Sequence, residues 1–199
     1  MLSISLSTLT NKLGYDVSTH YFQVNTVHLP ETAHIFRSTT KLGVEGIYFF
    51  ERGKQTDSNN YPPAPAVFLA QAKDEDEARI IHRKLWNLCS VPFLIVLLPH
   101  QIRVYTGFNY REEDPDAGLL DEISEEKKLK NLIEALSSVS IDTGFTWKSK
   151  YAEKLDSNQR VDKRLLENID DLGKALTTIG GLEDKLANAL IGKFIYLKY

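Results

Sequence analysis

Cys89 is the only cysteine among the 199 residues, which excludes an internal disulfide and a thiolate zinc cluster. The five histidines, His20, His28, His34, His82 and His100, have no ligand spacing, so a structural metal is not expected. A glycine-rich phosphate cradle is missing as well, because the turn "GGLEDK" at 180–185 has no strand before it. No run approaches the ~20 apolar residues that span a bilayer, and the opening "MLSISLSTLTNKLGYD" lacks the basic and long apolar regions of an export signal. Charge of one sign is not in excess: 24 Lys and Arg stand against 27 Asp and Glu, a formal net of -3. Any contact with nucleic acid must therefore come from a local basic face. Together these absences predict a soluble cytoplasmic protein.

What is present is an ordinary globular composition, 42% hydrophobic and 26% charged, on a chain long enough for one core and an appendage. Leu6, Leu9 and Leu13 recur at helical spacing before Gly14, and residues 31–42 have the pattern of a second helix. "IYFF" at 47–50 and "AVFLAQA" at 66–72 read as strands, separated by the polar, proline-bearing loop "KQTDSNNYPPAP". The period then changes. Ala78, Ile81, Leu85 and Leu88 recur at threes and fours behind four acids, Asp74 to Glu77, whose charge complements a helix N-terminus. Strands are expected at 93–98 and 102–108, hinged at Pro99-His100-Gln101, with the second nearer an edge and wet on one face.

The order of these elements predicts an α/β fold with a mixed sheet of about four or five strands, flanking helices and one helical crossover. Beyond Phe108 the segment "NYREEDPDAGLLDEISEEKK" carries eight acids against three bases and reads as a solvated surface. Leu119, Leu120, Ile123, Leu132, Ile133 and Leu136 mark a helix after that loop. Two further helices are expected, one from Arg160 to Ile179 and one from Leu182 to Tyr199, broken at Gly180-Gly181. The apolar "LIGKFIYLKY" suggests a longer protein continuing past Tyr199. The expected organisation is thus 1–110 as the α/β domain, 111–157 as an acidic loop and connecting helix, and 158–199 as a helical connector.

Two groups of residues carry candidate chemistry. Side chains two apart on a strand share a face, so Gln71 and Lys73 emerge together while Ala72 points inward, and Glu45 at the mouth of the preceding strand can add a carboxylate. An acid and an amide oxygen with a neighbouring ammonium suit Mg²⁺-assisted phosphodiester hydrolysis, with Glu45 and Gln71 as metal ligands and Asp74 or Asp76 as substitutes for missing charge. The set Glu45, Gln71 and Lys73 resembles the PD-(D/E)XK nuclease pattern in its glutamine-bearing variants. The same residue types also sit at many sheet margins simply to meet water. The second group is Trp147, Lys148, Lys150 and Lys154, an aromatic and cationic mixture suited to tracking DNA phosphates. From 145 to 199 there are ten bases and eight acids, so a mixed solvated helical surface is the competing reading.

"IHRKLWNLCSVPFLIVLLPHQIRVYTGF" resembles a segment in the N-terminal region of large bacterial type II restriction-modification proteins whose later part is an adenine-N6 DNA methyltransferase. "RVDKRLLENIDDLGKAL" and "LANALIGKFIYLKY" are similar to the helical segment that opens the methylase part of those proteins. The resemblance covers roughly 44–110 and 158–199. It implies a restriction-endonuclease-like domain and a helical connector here, with an S-adenosylmethionine-dependent methylase and a target-recognition domain elsewhere in the parent enzyme. The methylase glycine and Asn-Pro-Pro-Tyr motifs are absent from these residues, and Gln71 stands where an acid is commoner in the nuclease pattern. A non-catalytic DNA-binding or scaffolding module, and an unrelated interaction domain, are the alternatives.

Overall fold

A computed structural model describes residues 4–25, 33–50, 64–88, 91–156 and 160–198. Cys89, His28 and most of the loop expected between the second and third strands lie outside the described residues. The sheet is open and mixed, with six strands in the order β1 (Tyr21–Gln23), β2 (Val44–Phe50), β3 (Ala64–Gln71), β4 (Phe93–Leu97), β5 (Ile102–Thr106) and β6 (Leu119–Ile123). All neighbours are antiparallel except β3 and β4, which run parallel in the register Val67 opposite Phe93 through Gln71 opposite Leu97. Parallel neighbours need a crossover, and α3 (Glu75–Leu88) supplies it.

Helices cover both faces. On one, α1 (Leu6–Lys12), α4 (Glu126–Leu136) and α5 (Ser138–Asp142) press Leu9, Leu132, Leu136 and Ile141 against Val67, Leu69, Ile95 and Val104. On the other, α2 (Ala33–Thr40) and α3 bury Phe36, Ala78, Ile81 and Leu85 against Ile47, Phe68, Leu94 and Val96. Alternate residues of β3 thus enter opposite cores, which is why that strand reads as a continuous apolar run. Leu129 of α4 and Tyr151 belong to the first core, so the segment after 111 is built into the same body as the sheet.

The expected count of four or five strands is corrected to six. Leu119 and Leu120 begin β6 rather than a helix: they follow the turn at Asp116–Gly118, and the strand pairs with β5 from Ile102 opposite Ile123. With its mixture of buried and half-buried residues, β6 has the pattern of an edge. Consequently β5 is buried along its whole length, not wet on one face, and Arg103 is buried with it.

The last two helices, α6 (Val161–Thr178) and α7 (Asp184–Lys198), pair through buried Ala187 and Ile191. Gly181 takes a left-handed φ of 64° at their turn. Leu166, Leu186, Phe194 and Tyr196 on this pair are exposed. No described helix is long and apolar enough to cross a membrane.

Candidate functional site

Glu45, Gln71 and Lys73 lie at one margin of the sheet. β2 begins there and β3 ends there, because the two strands are antiparallel with Val44 opposite Ala70. Glu45 occupies a register shift between Val44 and Gly46, a bulge that turns it out of the ladder. Its carboxylate sits near the Tyr21 phenol, which burial first and Glu45 second push above its usual range. Gln71 is the last residue of β3 and is exposed, Ala72 is buried at 8% exposure, and Lys73 is exposed. The expected alternation at 71–73 is therefore present.

The backbone at Lys73 is held by the start of α3. Asp74 accepts a hydrogen bond from the Glu77 backbone N–H at 2.9 Å, and Glu77 Oε2 accepts one from the Lys73 N–H at 2.8 Å. This is a reciprocal cap of the capping-box kind, displaced by one residue. It uses Asp74 and Glu77 for helix initiation. Asp76 pairs with Arg79 Nη1 at 3.0 Å. Asp74 is therefore committed to the cap, while Asp76, 87% exposed, is held only by a weak, solvent-screened pair. Among the described residues, the side chains of Glu45, Gln71 and Lys73 make no hydrogen bond or ion pair with one another or with other groups.

For a divalent ion, this donor set amounts to one carboxylate and one amide oxygen. No cluster of three or more His, Cys, Asp or Glu side chains suited to a metal occurs among the described residues. Mg²⁺ keeps several waters and is commonly held by one or two carboxylates together with substrate phosphate, so one carboxylate and one amide would make a sparse set for it.

The second candidate group is divided by the structure. Trp147 is half-exposed at 46% and lies against the rings of Phe50 and Phe93, with centroids 6.4 and 6.0 Å away. Lys150 pairs with Asp121 at 2.7 Å and sits 4.8 Å from the Tyr151 ring centroid. Lys154 donates to the Leu120 carbonyl at 2.9 Å. Both lysines thereby fasten the segment after α5 to β6. Lys148, exposed and without such a bond, is the member of the group left to solvent.

One charged cluster had not been anticipated. Arg103, 4% exposed, bonds Glu75 at 2.6 Å, Glu122 at 3.0 Å and Asp116 at 3.3 Å. Arg79 adds Asp116 at 2.6 Å. Burial opposes the Arg103 charge, but Tyr105, Glu75 and Asp116 outweigh it and hold its pKa above the usual value. The hydrogen bond from Arg79 leads the effects that keep Asp116 below the usual carboxylate range. Part of the acidic segment expected to be a solvated surface is consumed here. The carboxylate partners of Arg103 lie 13 to 28 residues away in the chain, beyond the reach of any local pattern.

No family model, no curated protein and no solved structure matches the chain.

Proposed function

We propose that this chain is the DNA-engaging, restriction-endonuclease-like N-terminal part of a restriction-modification enzyme of the adenine-N6 methyltransferase type, with a weakened nuclease site at Glu45, Gln71 and Lys73. The observation that supports the reading is that these three residues are exposed, make no side-chain hydrogen bond or ion pair among the described residues, and stand at the adjoining ends of β2 and β3, directly before the capped start of α3.

Each residue has a distinct part in this reading. Lys73 presents an ammonium to a backbone phosphate, where its charge opposes that of the oxygens. Glu45 and Gln71 would hold a largely hydrated Mg²⁺, which when bound would neutralise developing charge on the phosphate. Because an amide is a neutral ligand, the site holds the ion loosely and any cleavage by this part of the enzyme is weak or absent. S-adenosylmethionine, the methylase and the target-recognition domain belong to the remainder of such an enzyme and have no counterpart in these residues. Lys148 lies with Trp147 at the opposite end of the sheet, beside Phe50 and Phe93, and would meet DNA only as a separate contact; Lys150 and Lys154 hold that segment to β6.

Nicking of supercoiled plasmid with Mg²⁺ tests the reading. Little or no nicking is expected from the natural chain, a gain from Gln71→Glu, and loss of that gain when Lys73→Ala is added. Failure of Gln71→Glu to gain activity or Mg²⁺ affinity would remove the nuclease-like site. A non-catalytic DNA-binding module is the second reading, favoured by the neutral side chain at Gln71. It gains if DNA binding is unaltered by Glu45→Ala.

A further inference from the structure

On the other side of α3, a cleft of about 430 Å³ lies between the later turns of that helix, the segment following β5 and the first turns of α6. Small-molecule sites commonly fall between about 300 and 1,000 Å³. The cleft is lined by aromatic and cationic groups together. Trp86, half-buried, supplies ring surface and is backed by Tyr110, itself only 8% exposed, their centroids 5.7 Å apart and their planes inclined at 40°. Tyr110 is held from behind by the edge of the buried His82 ring, 5.7 Å away. Arg83, Arg111 and Arg164 reach the same space from three separate segments of chain.

These arginines are committed far less than Arg103 and Arg79. Arg83 is bonded to Glu112 at 2.7 Å, but the two side chains are 56% and 70% exposed, and an ion pair so open to water is weak. Among the described residues the Arg164 side chain meets only the Tyr110 carbonyl, at 3.5 Å, the outer limit of a hydrogen bond. Among the described residues Arg111 has no hydrogen-bond or ion-pair partner. Three guanidinium groups therefore outnumber the two lining carboxylates, Glu112 and Glu113. Guanidinium forks match phosphate oxygens, and flat aromatic surface accepts a base of any sequence by stacking.

We propose that this cleft binds one unstacked nucleotide, with its base on the Trp86 ring and its phosphate on Arg111 and Arg164. Arg83 joins them when the phosphate displaces Glu112. Two sources present this chemistry: a free nucleoside phosphate, and an unpaired nucleotide in a DNA strand. The site is separate from the Glu45, Gln71 and Lys73 margin and stands without it.

The test is fluorescence titration of the whole chain carrying Trp147→Phe, which leaves Trp86 as the sole tryptophan. The probes are 2′-deoxyadenosine monophosphate, a short single-stranded oligodeoxythymidine and inorganic phosphate. Quenching of Trp86 by either nucleotide probe, well below the concentration at which phosphate acts, is expected. Tighter binding of the monomer assigns the free nucleotide, and tighter binding of the oligomer assigns the strand. Loss of one guanidinium–phosphate contact, in Arg111→Ala or Arg164→Ala, should weaken binding about tenfold. Glu112→Gln should strengthen it about twofold by freeing Arg83, a gain that a merely structural role would not produce. Lys73→Ala should leave it unchanged, so failure of the nuclease-like margin cannot pass for failure here. Absence of quenching by both nucleotide probes, phosphate competing as well as the mononucleotide, or unaltered affinity in Arg111→Ala would overturn the proposal.

Discussion

Lys73 and Glu75 are two residues apart, yet the charges around them have opposite fates. Glu75 belongs to a cross-linked group in which Arg103, Arg79 and Gln101 all bond its carboxylate. Lys73, with Glu45 and Gln71, faces solvent with no side-chain partner. The first group spends its charge on architecture, tying the start of α3 to β5, β6 and the turn before β6. The second is left able to meet a ligand, and it is the Asp74 and Glu77 cap, outside the first group, that holds the backbone from which Lys73 projects. Structural ion-pair networks perturb pKa values as functional sites do, so the shifts at Arg103 and Asp116 do not by themselves mark a site.

Breaking the architectural group should have the largest effect. Arg103→Ala leaves Glu75, Asp116 and Glu122 facing one another, and a loss of about 3 kcal/mol is expected. That is the lower end for breaking a buried pair, since those carboxylates remain partly hydrated. Urea unfolding monitored by circular dichroism measures it. A loss no greater than that of an average surface substitution would show the group to be dispensable.

His82 gives the next effect, and a direction with pH. Its ring is fully buried, Nε2 meets the Thr106 carbonyl at 2.8 Å, and burial lowers its pKa from 6.5 to about 4. Between those values the unfolded chain binds a proton that the folded chain does not. The stability contribution is therefore complete above 6.5 and is lost as pH falls toward 4. From about pH 7 to about pH 5 the loss should be about 2 kcal/mol from this group alone. In His82→Gln, the part of the pH slope due to His82 should vanish; a slope identical to that of the natural chain would contradict the assignment.

A smaller change is expected at the fastening of the 145–155 segment. Asp121→Asn weakens the bonds to Lys150 and to the Tyr151 hydroxyl, which are 2.7 and 2.9 Å long, and should cost about 1 kcal/mol. Smallest of all, Lys73→Ala and Glu45→Gln should shift stability by less than about 0.5 kcal/mol. A large destabilisation by either would show that the margin is structural after all and would collapse the contrast between the two groups.

The sequence made the strongly patterned parts legible. β3, α3, β4 and β5 could be read from apolar runs and helical spacing, and so could the break at Gly180-Gly181. The alternation at Gln71, Ala72 and Lys73 follows from strand geometry alone. β6 was hidden because Leu119, Leu120 and Ile123 are too few to separate a half-wet edge strand from a helical turn. The burial of Arg103 was hidden for a different reason. It depends on Glu75, Asp116 and Glu122 arriving from three other segments, and no local pattern records such a meeting. The same holds for Lys150 and Lys154, whose partners on β6 are 29 and 34 residues distant in the chain. The signal for the Asp74 and Glu77 cap was present in "KDEDE", where an aspartate precedes a glutamate by three positions at a helix start.

Binding of a fluorescent DNA duplex, measured by anisotropy in Mg²⁺ at about 50 mM and about 200 mM salt, tests the central claim most directly. Affinity should fall steeply with salt, be weaker in Lys73→Ala with a shallower salt dependence, and be unchanged in Lys150→Ala. Absence of DNA affinity at the lower salt, or identical binding by the natural chain and Lys73→Ala, would contradict the claim.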